Sequence, residues 1–206
     1  MISKHFPQTE KILGTKLFSE LTSHFHSKDY GAFPQYLKEN LPDIGTRYSF
    51  IPELSRLEYT IYTGQTHYEK FIPTLDTLRP LQIIEDSSKI SLSLSPNIRL
   101  FKSWFPVWEI WQESTNADET PDLINLDLQP KVKKPYFYII NQSDKGPNAY
   151  PVKKSIYHLI EGILRGNSFS SVAAKLYAHK EPIVLTKALN KIQSLRLIDN
   201  YQIDQR

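Results

Sequence analysis

The 206-residue sequence contains no cysteine. Disulfides, thiolate zinc sites, iron–sulfur clusters and cysteine nucleophiles are therefore excluded. Chains without disulfides are typical of reducing compartments, so we expect the protein to reside in the cytoplasm.

Long hydrophobic runs are missing as well. No stretch approaches the roughly 18 consecutive apolar residues of a transmembrane helix. The first residues, Met1 to Pro7, lack the apolar core of a secretory signal peptide. We therefore expect a soluble protein with no membrane partner.

Glycine is scarce, with seven residues in the chain, and none forms a phosphate-binding G-x-G or G-K-[ST] pattern. His24 and His26 are the only close histidine pair, and residues two apart on a helix point to different sides. Glu109 and Glu113 can share a helix face, but such pairs are usually solvated. The sequence thus predicts a protein that is not an enzyme and that needs no metal or other cofactor.

Basic residues are concentrated near the C-terminus. Residues 1–150 carry 16 Lys and Arg against 18 Asp and Glu, a balance of −2, whereas residues 151–206 carry 9 against 4, a balance of +5. Such a segment can attract nucleic acid or an acidic peptide, or it can be an ordinary solvated surface.

Apolar residues recur at helical spacing in the N-terminal part of the chain. The pattern predicts two short helices within 11–41 and a third from about Ile51 to Tyr62, ended by Gly64. We interpret residues 1–80 as a helical N-terminal domain.

The pattern changes after residue 80. Alternation and β-branched or aromatic residues predict a half-buried strand at Ile90 to Leu94 and a buried strand at Tyr136 to Ile140. Further predicted elements are a strand at Ile98 to Trp104, a helical turn at Val107 to Gln112, a chain reversal at Gly146-Pro147 and a returning strand at Ala149 to Val152.

The last fifty residues predict three helices and a closing strand. The helices begin near Ser155, Ser168 and Pro182, and the strand spans about Leu197 to Ile203. A hairpin followed by three helices and a strand is a winged-helix pattern. The predicted fold class is therefore α+β, with a winged-helix-like domain and a small antiparallel sheet in residues 81–206.

Two features favour binding. Trp104, Trp108 and Trp111 lie within eight residues. Such a cluster usually belongs to a hydrophobic core. The alternative interpretation is a partner interface, where tryptophan is enriched. The third predicted C-terminal helix carries Lys187 and Lys191, which are compatible with DNA binding, although base readout would need more polar side chains.

Two sequence segments resemble the N-terminal domain of the HvfC/BufC family. They are YGAFPQYL at 30–37 and IPELSRLEY at 51–59. Looser matches to the C-terminal domain of that family are SPNIRL at 95–100, VWEIW at 107–111 and the helix pair around Gly166, so the resemblance covers nearly the whole chain.

The resemblance implies an adaptor function. Members of this family carry a DNA-binding label, but the better-understood ones are partner subunits of multinuclear non-heme iron oxidases that modify ribosomally made, Cys-rich precursor peptides. By this resemblance the C-terminal domain is a peptide-recognition winged helix, and the iron and the oxidation belong to the partner. A DNA-binding regulator that uses the same domain is the alternative.

The N-terminus departs from the family pattern. Family members usually have a further helix before the segment that matches Phe6-Pro7. The resemblance therefore implies either that the true start lies upstream of Met1 or that this member has lost the helix.

A peptide-binding cleft is predicted in the C-terminal domain. A peptide can add to an exposed strand edge through main-chain hydrogen bonds. We expect the strand at Ala149 to Val152 to provide this edge. Tyr150, Lys153, Lys187 and Lys191 are predicted to line the cleft beside it. The alternative is that Tyr150 is core and the lysines are solvated.

Overall fold

The computed structural model describes residues 2–41, 48–70, 90–117, 134–178 and 185–203. It contains helices and antiparallel strands, so the predicted α+β class is confirmed. The chain divides into two compact units. We name them the helical unit, Met1–Thr66 with Phe101–Tyr136, and the mixed unit, His67–Leu100 with Phe137–Arg206. No helix in the described ranges is long and apolar enough to cross a membrane.

The helices of the helical unit are α1 (Pro7–Leu13), α2 (Thr15–Ser23), α3 (Phe33–Asn40), α4 (Ile51–Thr66) and α5 (Val107–Asn116). The two helices predicted within 11–41 are confirmed as α2 and α3. Helix α1 was not predicted, and Gly14 separates it from α2 at φ +79°. L side chains rarely adopt that conformation, whereas glycine adopts it readily.

Gly64 does not end α4, contrary to the sequence prediction. The helix continues to Thr66, and Gly64 is buried within it. The low helix propensity of glycine amounts to about 1 kcal/mol, which tertiary packing can outweigh.

The core of the helical unit is rich in aromatic rings. The ring centroids of Phe6 and Phe33 are 4.7 Å apart, and those of Phe18 and Phe33 are 5.9 Å apart in an edge-on arrangement. All three side chains are essentially buried. Ring burial of this size is a main source of stability in a small helical domain.

The domain division differs from the one expected. The predicted boundary near residue 80 lies outside the described residues, and the chain returns to the helical unit at Phe101. Helix α5 explains the return, since Val107 and Ile110 are fully buried and α5 packs against α1 and α4. Contacts between segments that are distant in sequence leave no mark in local periodicity.

A buried carboxyl group joins α4 to α1. Glu58 accepts hydrogen bonds from the backbone N–H of Gln8 (2.6 Å), the backbone N–H of Thr9 (3.1 Å) and the Thr9 hydroxyl (2.5 Å). The first N–H groups of a helix have no partner within it, and they favour a negative charge. Phe6, the N-cap residue of α1, has no oxygen in its side chain, so Glu58 serves as the cap from a distant helix.

Helix α1 is also joined to α5 by polar contacts. The Lys11 ammonium donates to the carbonyls of Ser114 (2.8 Å) and Ala117 at the C-terminus of α5, where the helix dipole favours a cation. The Ser114 hydroxyl donates to Gln8 Oε1 at 2.8 Å. Together with Glu58, these contacts fix three helices to one another.

The mixed unit contains a hairpin, three helices and a closing strand, in the order predicted. Its strands are β1 (Ile90–Leu94), β3 (Tyr136–Ser143), β4 (Gly146–Pro151) and β5 (Ile198–Ile203), and β2 (Ile98–Ser103) runs from it into the helical unit. Its helices are α6 (Lys154–Leu164), α7 (Phe169–Ala178) and α8 (Leu185–Ser194). The predicted helix start at Pro182 lies outside the described residues.

The strands form two small antiparallel sheets among the described residues, one of three strands and one of two. One has the order β2–β3–β4, and the other pairs β1 with β5 from Ile90 opposite Ile203 onward. The predicted reversal at Gly146-Pro147 is wrong, because the turn occupies Asp144 and Lys145 and both predicted residues lie in β4. Apolar faces of α6, α7, α8, β1 and β3 share one core, which includes Leu92, Ile139, Leu159, Ile160, Phe169, Val172, Leu189 and Ile192.

The stability of the fold should depend on pH through Glu58. Burial raises the pKa of Glu58 to about 8 from an ordinary 4.5, against the effect of its hydrogen bonds. Between those values the folded state holds more protons than the unfolded state, so stability falls as pH rises. We expect the free energy of unfolding of the wild type to drop between about pH 5 and pH 8, and the Glu58→Gln variant to lack this part of the slope.

Urea denaturation across that pH range measures the difference in slope. Glu113→Gln, at an exposed position on α5, is the control and should keep the wild-type slope. His5, whose pKa is lowered chiefly by burial, is present in all three proteins and cancels in the comparison. Identical slopes for the wild type and Glu58→Gln would contradict the assignment.

Candidate functional site

The helical unit contains an open groove of about 760 Å³. Volumes of this size are typical of ligand-binding clefts. The groove lies between α3, the first turns of α4 and the segment that follows β2. The lining residues are Gly31, Pro34, Gln35, Lys38, Ser49, Pro52, Glu53, Arg56, Lys102, Trp104 and Phe105.

Glu53 fixes the segment that follows β2. Its Oε2 accepts from the Ser103 hydroxyl and from the backbone N–H of Trp104 at 2.9 Å. Ser103 Oγ in turn accepts from the backbone N–H of Phe105 at 3.0 Å. Two consecutive aromatic residues on the groove wall are thereby held through their main chains rather than through their rings.

Arg56 holds the same segment from the next turn of α4. Its Nη2 donates to the carbonyl of Lys102 and lies 3.8 Å from Glu53 Oε2. Its guanidinium carbon is 4.4 Å from the centroid of the Phe101 ring, a cation–π contact. The side chain is still 49% exposed, so the guanidinium faces the groove while it is fixed by these contacts.

The groove is electropositive. Lys38, Arg56 and Lys102 contribute three positive charges, and Glu53 contributes one negative charge, which leaves a balance of +2. The Glu53 oxygen that faces the wall is occupied by Ser103 and Trp104. A ligand that enters the groove therefore meets cations and aromatic rings.

Gly31 allows the floor of the groove to form. A Cβ at this position would lie 2.8 Å from Cε1 of Tyr59 and 3.0 Å from Oδ1 of Asp29. The same Asp29 oxygen accepts from the Gly31 N–H at 2.8 Å and caps a short helical turn at Tyr30–Ala32. The segments 30–37 and 51–59, which were singled out in the sequence, thus meet here.

The three tryptophans have different environments. Trp104 is 47% exposed on the groove wall, with the Lys102 ammonium 5.9 Å from its ring. Trp108 is buried, and it stacks on the half-buried Trp111 with a centroid distance of 5.0 Å and an angle of 14°. The predicted partner interface at all three residues remains a prediction, and Trp104 is the member with a large exposed surface.

The predicted peptide-binding residues lie in the mixed unit. Lys187 and Lys191 are exposed one turn apart on α8, and Lys153 is exposed at the N-cap of α6. Tyr150 is half-buried on β4, opposite Ile139, and its hydroxyl accepts from the Asn148 amide at 3.2 Å. The cleft that these residues were predicted to form remains a prediction.

The outer edge of β4 offers few hydrogen-bond donors. Val152 N–H donates to the Phe137 carbonyl at 2.9 Å, and Pro151 is opposite Tyr138. Because N–H groups alternate in direction along a strand, those of even-numbered residues face β3 and those of positions 147, 149 and 151 face away. Positions 147 and 151 are prolines, which have no N–H. Of the three outward positions, Ala149 alone can donate, so addition of a peptide strand is disfavoured here.

Histidines and carboxylates do not form a metal-binding group within the ranges that the structure describes. The expected helical position of His24 and His26 is wrong, because α2 ends at Ser23. His24 is the C-cap residue, and its Nδ1 lies 3.0 Å from the Glu20 carbonyl.

Sequence reasoning missed most of the groove. Glu53 and Arg56 were present in the segment at 51–59, but their contacts with residues 102–104 join positions about fifty apart in sequence. Lys38 is an exposed lysine on a short helix, and nothing in its local sequence distinguishes it. Lys102 had one usable signal in the sequence, which is its position two residues before Trp104 in the tryptophan cluster.

No family model, curated protein or solved structure matches this chain.

Loss of Glu53 should loosen the groove wall. Glu53→Ala leaves the Ser103 hydroxyl and the Trp104 N–H without their acceptor, and it should lower the free energy of unfolding by about 1–3 kcal/mol. Time-resolved fluorescence anisotropy should also show faster local motion of Trp104 in a Trp108→Phe, Trp111→Phe background. Glu113→Ala in the same background is the control, and equal anisotropy decays in the two proteins would contradict the assigned role.

Proposed function

We propose that the chain is a non-catalytic adaptor, which binds a ribosomally made precursor peptide and presents it to an iron-dependent oxidase partner. In this proposal the mixed unit is a winged-helix-like peptide-recognition domain. The partner supplies the iron and the oxidation, and this chain supplies affinity and orientation.

The exposed face of α8 is the observation that carries the proposal. Ala188, Leu189 and Ile192 are buried in the core of the mixed unit, whereas Lys187 and Lys191 are exposed. A helix anchored in this way presents both ammonium groups on a rigid backbone, which lowers the entropy lost on binding. Cations one turn apart suit an acidic peptide segment.

The prolines of β4 bear on how a peptide would be bound. Since the outer edge of β4 has one N–H donor at its three outward positions, we propose that recognition relies on side chains more than on strand addition. Tyr150 would supply apolar contact, and Lys153, Lys187 and Lys191 would attract carboxylates.

Charge reversal on α8 tests the proposal. The probe is a fluorescein-labelled, reduced Cys-rich peptide preceded by an acidic segment, and binding is measured by fluorescence anisotropy. The Lys187→Glu, Lys191→Glu double variant should bind it at least about tenfold more weakly, equivalent to about 1.4 kcal/mol. Lys175→Glu, an exposed lysine on the neighbouring helix α7, is the control. Equal affinities for the double variant and the control would contradict the proposal.

DNA binding by α8 is the competing function, and its salt dependence distinguishes it. Each phosphate contact contributes a slope of about −0.9 to the plot of log affinity against log salt. Two exposed lysines therefore predict weak DNA binding, with a slope no steeper than about −2. A slope near −6 or beyond, together with sequence preference that is lost on Lys187→Ala, would favour a DNA-binding regulator.

A further inference from the structure

We propose that the groove of the helical unit is a docking site for an acidic linear segment of a partner protein, with an apolar side chain of that segment seated on Trp104. This inference deepens the proposed function by naming the chemistry that the partner must present, and it rests on that function for the partner's role. The site is separate from the lysines of α8.

The charge of the groove selects an anionic occupant. Three cationic side chains and one carboxylate line the groove, and that carboxylate already accepts from the Ser103 hydroxyl and the Trp104 N–H. Arg56 contacts the Lys102 carbonyl and Glu53 through Nη2. The planar guanidinium has further donors in a fork that matches a carboxylate.

Trp104 selects an apolar side chain next to the acidic one. The residue is 47% exposed although its backbone N–H is held by Glu53. A large aromatic surface on a fixed backbone, with cations beside it, has the features of an interface hot spot. Little ordering entropy is lost when a ligand binds a wall that is already held in place.

The number of cations favours a peptide over a nucleic acid. Three cations allow at most about three phosphate contacts, whereas proteins that bind nucleic acid firmly often make about 6–10. Single-strand binding also depends on several successive aromatic platforms for successive bases. The groove wall offers Trp104 and the half-buried Phe105, which suits a short segment with one or two apolar residues.

The test uses a fluorescein-labelled decapeptide of alternating Glu and Leu, and the same peptide with Gln in place of Glu, with the full chain at physiological salt. Fluorescence anisotropy should show binding of the Glu peptide and at least tenfold weaker binding of the Gln peptide. Lys38→Glu and Trp104→Ala should each weaken binding of the Glu peptide at least tenfold. Lys16→Glu, at an exposed position on α2 of the same unit, should leave it unchanged.

A second substitution keeps the test independent of folding. Trp104→Phe preserves an aromatic ring and should bind within about threefold of the wild type, and circular dichroism checks that each variant is folded. The inference is overturned if the wild type does not bind the Glu peptide, if Lys38→Glu and Lys16→Glu have equal effects, or if Trp104→Ala binds normally. Tighter binding of a single-stranded oligothymidine, weakened by Lys38→Glu, would overturn it in favour of nucleic acid.

The same variants separate this inference from the proposed function. The Lys187→Glu, Lys191→Glu protein should bind the Glu and Leu decapeptide normally, and Lys38→Glu should bind the Cys-rich probe normally. If the α8 variant alone loses its probe, the adaptor proposal holds and the groove assignment fails. If the groove variants alone lose theirs, the groove assignment holds and peptide capture by α8 fails.

Discussion

The contact of the Glu58 carboxyl group with the N-terminus of α1 is the interaction on which the helical unit depends. Three donors converge on a fully buried side chain, which brings α1 against α4. Lys11 and Gln8 then tie α1 to α5. Removal of a single partner from such a network leaves buried groups unsatisfied, which is far more destabilising than the net gain from an average hydrogen bond.

Helix α4 uses different faces for structure and for the groove. At 100° per residue, Glu53 and Glu58 lie about 140° apart around the helix axis. Glu58 faces α1, whereas Glu53 and Arg56 fix residues 102–104 on the groove wall. The same helix that is anchored by the buried Glu58 therefore positions Trp104. Rigidity of this kind lowers the entropy lost when a ligand binds.

Local pattern predicted the elements better than their partners. Strict alternation located β1, and the capping and glycine signals located α6 and α7. The pairing of β1 with β5 joins residues more than a hundred positions apart in sequence. The packing of α5 against α4 also joins distant segments, although they are closer in sequence. Neither contact can be read from the local sequence pattern. Glu58 in an apolar helical stripe was a visible anomaly, since a charged residue on a buried face needs a partner. The groove is formed by contacts of this kind between segments that are distant in sequence. Only Trp104 among its lining residues was therefore predicted as a binding residue.

The indole N–H signals of the three tryptophans report directly on whether a peptide docks beside Trp104. In a ¹⁵N-labelled protein they give three assignable resonances in very different environments, since Trp104 is half exposed, Trp108 is buried and Trp111 is stacked on Trp108. On titration with an acidic peptide that carries leucines, a groove fixed by α4 predicts a saturable shift of the Trp104 resonance and a stationary Trp108 resonance. Saturable binding of the peptide with no change at Trp104 would show that the groove is not the docking site.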